Sequence, residues 1–209
     1  MSAHATDGWG PAPGSSGGAI DLCWLPLGAG GHFVRLNGRI YETIQAYRGR
    51  RRSFDLYHTA LQVHVPDGRY VIETAWPIPD RDGTSRGVVV EGPVASPRIS
   101  RFRVFRYEVR RWREGKIADI AEAIDGPQRI SWDEERARRV LDIAASVPAL
   151  TWGRDELGLG EMWNSNSVIS WLLAKSGFAM EEIQPPDGGR APGWDEGIAA
   201  SLSSSLPEP

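Results

Sequence analysis

The residues whose types and spacing could do chemistry fall in two short segments. The first runs Tyr57-His58-Thr59-Ala60-Leu61-Gln62-Val63, then through Asp67-Gly68 to Tyr70-Val71-Ile72-Glu73. It reads as a β-hairpin with an imidazole at its entry and a carboxylate near the end of the returning strand. Facing strands of a hairpin lie side by side, so His58 and Glu73 are expected to be neighbours. A carboxylate beside an imidazole fixes its tautomer and stabilises its protonated form. The second segment, Met162-Trp163-Asn164-Ser165-Asn166-Ser167, opens an apolar helix. A hydroxyl there meets the unsatisfied backbone N–H groups of the first turn. The same groups can receive the oxyanion formed when a carbonyl is attacked. Ser165 as nucleophile, His58 as base and Glu73 as orienting acid would together perform acyl transfer on an amide, ester or thioester. Tyr57, Trp163, Asn164 and Asn166 lie beside them and are expected to contact the substrate. The same residues also admit plainer roles: Asn and Ser are ordinary helix caps, His58 can be satisfied by backbone, and Glu73 can lie on a solvated strand face.

Around these segments the chain reads as strands followed by helices, an α+β order with little βαβ alternation. Ile20–Leu27 and His32–Leu36 are strand candidates, and Asn37-Gly38 is a hairpin signal leading into Arg39–Ala46. The second hairpin pairs Leu56–Val65 with Arg69–Thr74 across Pro66-Asp67-Gly68. Arg101–Trp112 alternates apolar and basic residues, which predicts a strand with one solvated face. Ser131 or Asp133 can cap a helix running to about Ser146, stopped by Pro148. A second, buried helix starts at Asn164 or Ser165 and ends at Gly177. Residues 1–19 and 184–209 are rich in Gly, Pro and Ser and read as a disordered and a flexible tail, which leaves 20–183 as the folded unit.

With this order of parts, the chain resembles the circularly permuted papain-like proteins, the NlpC-type and lecithin:retinol acyltransferase-like families. In those families a histidine strand comes first and a nucleophile helix opening Asn-Cys comes last. The resemblance covers roughly residues 56–74 and 134–177. It implies an antiparallel sheet or barrel packed on helices, with His58 as base, Glu73 as orienting group and Ser165 in the nucleophile position. Serine stands where the family has cysteine, and a hydroxyl needs a well-placed base far more than a thiol does. Hence the sequence leaves three outcomes open: a Ser-His-Glu hydrolase or acyltransferase, a non-catalytic member that binds a peptide or acyl ligand in the same cleft, or a purely structural or interaction protein whose resemblance is accidental.

Composition narrows the remaining classes. The 209 residues carry 41% hydrophobic residues and 9 tryptophans, enough for one packed core. A net charge of -3 gives no global attraction to nucleic acid or to a membrane surface. The single cysteine, Cys23, excludes an internal disulfide, and within Leu22-Cys23-Trp24-Leu25 it reads as a small buried hydrophobe. His64 is six residues from His58, about 20 Å along a strand, too far to share one reacting atom. The four histidines show no ligand spacing, so no metal is expected, and acyl transfer requires no cofactor. Gly28–Gly31 lacks the lysine of a phosphate-binding loop. Trp152 and Trp171 read as core. The arginines at 48–52 and 98–113 are surface charge or a receptor for an anionic group on a small-molecule or peptide substrate. Met1–Gly18 has neither a basic start nor an apolar segment, so no secretory leader, no membrane association and a cytoplasmic location are expected. Heavy use of Ala, Arg, Gly and Trp suggests a bacterial origin.

Overall fold

The apolar run at the start of the hairpin region becomes a strand buried on both faces, and the rest of the fold is assembled about it. A computed structural model describes residues 17–26, 56–77, 87–98, 100–117 and 120–203. The strands are β1 (Ala19–Pro26), β2 (Tyr57–Val65), β3 (Gly68–Ala75), β4 (Val88–Pro93), β5 (Arg106–Arg113) and β6 (Gln128–Ser131). They form one six-stranded sheet in the order β4-β5-β3-β2-β1-β6, and every neighbouring pair is antiparallel. The β2–β3 turn needs Gly68, whose φ of 144° lies where a side chain is strained.

Three α-helices follow: α1 (Glu134–Ile143), α2 (Ser165–Lys175) and α3 (Trp194–Leu202). Asp133 caps α1 by accepting from the Arg136 N–H at 3.1 Å. Because opposed residues of a ladder share a face and alternate residues point opposite ways, the sheet has two distinct sides. Leu22, Trp24, Tyr57, Leu61, Val63, Ile72, Tyr107 and Val109 point towards the helices and join Val140, Val168, Ile169, Leu172 and Trp194 in the main core. Cys23, Leu25, Ala60 and Val71 point the other way and are covered by Ile117, Ile120 and Ala123.

The structure is therefore α+β, with an antiparallel sheet packed on helices. It differs from the sequence reading in three places. Residues 184–209 were expected to be a loose tail, yet α3 packs its Trp194 and Ala200 into the main core. The helix is built from small residues because Gly197 lies directly against the Ser167 carbonyl and the Ser170 hydroxyl of α2, where a Cβ would clash. The predicted strand over 101–112 begins only at Arg106, after a single 3-10 turn at Arg103–Phe105. Its polar face is not solvated either: Glu108 and Arg110 are 2% and 3% exposed and pair at 2.6 Å. The candidate strands His32–Leu36 and Arg39–Ala46, the glycine turn 28–31 and Arg48 to Arg52 lie outside the described residues, as does most of the predicted N-terminal tail. Among the described residues no helix is long and apolar enough to cross a membrane.

Candidate functional site

The site forms where two paired strands part. The β2–β3 ladder runs from Val65↔Gly68 to Leu61↔Ile72. Beyond that point β3 continues beside β5 as far as Ala75↔Glu108, while β2 continues beside β1 as far as Tyr57↔Pro26. The edge of β2 that β3 leaves is occupied by other groups. The Tyr57 N–H donates to the Arg190 carbonyl at 2.9 Å. The Tyr57 carbonyl accepts from Asn166 Nδ2 at 2.9 Å, and Thr59 Oγ1 donates to Asn166 Oδ1 at 3.0 Å. The first turn of α2 is thus fastened to β2 on both sides of His58.

At that helix start Asn164 and Ser167 form a capping box. Asn164 Oδ1 accepts from the Asn166 N–H at 2.8 Å, and the Asn164 N–H donates to Ser167 Oγ at 3.0 Å. The capping role open to these residues from sequence is therefore filled by Asn164 and Ser167. Ser165 is left out of it: neither its N–H nor its hydroxyl has a hydrogen-bond partner among the described residues.

His58 opposes Leu25 in the β1–β2 ladder and shares the face of Ala60, opposite the face on which Thr59 meets Asn166. Its Nε2 is buried and has no hydrogen-bond partner among the described residues. Burial pushes the imidazole down to about 4, so it is neutral at pH 7. Glu73 lies on the same face, on the far strand of the opening, with Arg110 Nη1 at 3.9 Å. The His58 and Glu73 side chains share the face of the sheet away from the helices, whereas α2, which Ser165 opens, packs on the other face, and no Ser165–His58 hydrogen bond is formed among the described residues.

No known family model, curated protein or solved structure matches the chain.

The four expected substrate contacts have internal duties instead. Trp163 is fully buried and donates from Nε1 to the Tyr107 hydroxyl at 3.1 Å, which itself donates to the Leu150 carbonyl at 2.9 Å. The Tyr57 ring is buried edge-on to Trp24. Asn164 Nδ2 and Asn166 Nδ2 both donate to the Pro192 carbonyl, at 2.8 and 2.9 Å. With their polar groups engaged in this way, these residues build the site's frame rather than its lining. Thr59, Arg190 and Pro192 complete that frame and carry no signal in the sequence, because two of them contribute only backbone carbonyls.

Elsewhere the polar groups are structural. Burial pushes the Cys23 thiol up to about 12, aided by Asp21, so it stays protonated. Asp21 accepts from His64 Nε2 at 3.1 Å and from the Arg129 guanidinium, tying β1 to β2 and β6. Burial favours its neutral form, but the hydrogen bonds from His64 and Arg129 outweigh that and hold its carboxyl below the usual range. No group of three or more His, Cys, Asp or Glu side chains suited to a metal ion occurs among the described residues.

Proposed function

We propose that this chain is a serine-dependent hydrolase or acyltransferase of the permuted papain-like type, acting on an amide, ester or thioester. The observation that carries the reading is the docking of the α2 N-terminus on β2 at Tyr57 and Thr59, the neighbours of His58 in sequence, with the Ser165 N–H and hydroxyl both left without partners among the described residues; the mechanism requires the imidazole to reach Ser165 past the end of the β2–β3 ladder. In this mechanism the Ser165 hydroxyl attacks the carbonyl carbon while His58, neutral at pH 7, takes its proton. The developing oxyanion is received by the Ser165 N–H, since the Asn166 N–H is held by Asn164. Collapse of the tetrahedral intermediate expels the leaving group, which takes the proton from His58 and leaves an acyl-serine. Water or a second nucleophile then repeats the sequence and frees the serine. Glu73 orients the imidazolium from across the opening. The substrate is a small molecule or peptide, and no cofactor enters the steps.

A second reading, binding of a peptide or acyl ligand without chemistry, is favoured by one observation: His58 makes no hydrogen bond at Nε2 among the described residues and is a weak base. Burst kinetics with p-nitrophenyl acetate separate the two. The catalytic reading expects release of about one equivalent of p-nitrophenolate per enzyme, absent from Ser165→Ala. A wild-type chain that shows no burst favours the binding reading.

A further inference from the structure

The first turn of α3 carries a carboxylate that the proposed acyl transfer does not use. Glu196 is 0% exposed. Its Oε1 accepts the Leu157 N–H at 3.3 Å, whereas its Oε2, also buried, has no hydrogen-bond partner among the described residues. A buried charge with one bare oxygen is costly. Asp155 and Glu161, on the loop that faces Glu196, add negative charge. Arg190 and Asp195, before and within α3, bear on Glu161. The helix α2, which packs on α3 at Gly197, has no ionisable side chain before Lys175. Burial first, then the Asp155 and Glu161 charges, hold the Glu196 carboxyl above its usual range, against the pull of the Leu157 and Glu156 N–H groups. The loop itself is closed at its base: the Gly153 N–H donates to the Trp163 carbonyl and the Trp163 N–H to the Arg154 carbonyl, both at 2.9 Å. Between these ties residues 154–162 form a compact excursion. Gly158 and Gly160, at φ of 73° and 79°, turn its tip. Asp155 braces that tip from within by accepting the Leu159 and Gly160 N–H groups at 2.9 and 2.8 Å. Carboxylates join the loop to the start of α3: Glu196 takes the Leu157 N–H, and Glu161 Oε2 takes the Gly193 N–H at 2.7 Å.

We propose that Glu196 is a proton-operated latch: protonated, it holds Leu157 and the loop 154–162 against α3, and on ionisation it releases them. The protonated carboxyl keeps Oε1 as an acceptor and buries no charge. The ionised one leaves Oε2 bare beside two other acids, and lifting the loop lets water reach it. Because the seated carboxyl gives up its proton at a higher pH than a free one, seating is fully favoured below the ordinary 4.5 and is lost as pH rises through the seated value. The latch uses neither Ser165 nor His58, so it stands apart from the acyl-transfer reading.

Hydrogen exchange at the Leu157 amide, followed by NMR and divided by the intrinsic rate at each pH, reads the latch directly. Wild type is expected to lose about tenfold or more in protection between about pH 4.5 and 8. Glu196→Gln keeps an acceptor oxygen and cannot ionise, so its protection is expected to stay level. Glu161→Gln, which can still accept from Gly193, is expected to keep a pH-dependent fall. The Leu172 amide, in the core of α2, reports global unfolding and is expected to stay level in all three proteins. A wild-type profile that is level with pH overturns the inference without any variant. So does a fall of wild-type size in Glu196→Gln, or a fall that the Leu172 amide shares. A fall that vanishes in Glu161→Gln and persists in Glu196→Gln assigns the switch to Glu161 and overturns it as well.

Discussion

At the scale of residues, the account turns on one hydroxyl and one imidazole. His58 titrates near 4 because it is buried, so the base form needed for attack persists well below the ordinary histidine range. The burst rate is therefore expected to be flat from about pH 5.5 upwards and to fall with a midpoint near 4. A midpoint near 6.5, measured in the same rate profile, would mean that His58 is not the base. The sequence made Ser165, His58 and Glu73 legible because hydroxyl, imidazole and carboxylate are visible as residue types. It could not show that Asn164, Asn166, Tyr57 and Trp163 face inward, since their partners are carbonyls and a phenol more than 20 residues away in the chain. Nor could it show that Glu73 sits beside Arg110, a pairing set by the β3–β5 register.

At the scale of elements, long-range polar ties and close backbone approach decide the arrangement. Asp21 joins three strands through His64 and Arg129. Asp21→Asn removes the buried charge that Arg129 answers and is expected to cost about 3 kcal/mol in urea denaturation. Where α3 crosses α2, Gly197 leaves no room for a side chain. Gly197→Val is expected to destabilise by about 3 kcal/mol, because it forces two packed helices apart, while Gly188→Ala, with nothing within 4 Å of its Cβ but a φ of 68°, is expected to cost only about 1 kcal/mol from the left-handed backbone. The strands β1, β2 and β3 and the helices α1 and α2 were readable from alternation, turn residues and caps. Missed were β4, β6 and α3. At four residues, β6 is too short to carry a period. The small residues of α3 look like linker composition until the surface they fit is known.

At the scale of the whole molecule, the domain extends about 20 residues further than composition suggests, and the added helix is part of the core. A chain ended after Ile183 loses Trp194 and Ala200 from that core, and the Pro192 carbonyl from both asparagines. It is expected to lose cooperative thermal unfolding, read by circular dichroism. His58 also links folding to acidity. The unfolded chain binds a proton at about 6.5 that the native imidazole refuses until about 4, so stability rises with pH across that window and is level below it, where both states are protonated. The whole window is worth about 3 kcal/mol. Urea midpoints at pH 4.5 and pH 7 should differ clearly in wild type and much less in His58→Gln.

The central claim is that Ser165 is activated by His58. The most direct measurement is intact-mass labelling with a fluorophosphonate, followed as a rate in wild type, Ser165→Ala and His58→Ala. The account predicts a single adduct on wild type, no adduct on Ser165→Ala, and labelling slower by about a hundredfold or more in His58→Ala. An adduct that persists in Ser165→Ala, or that forms at the wild-type rate without His58, would contradict it.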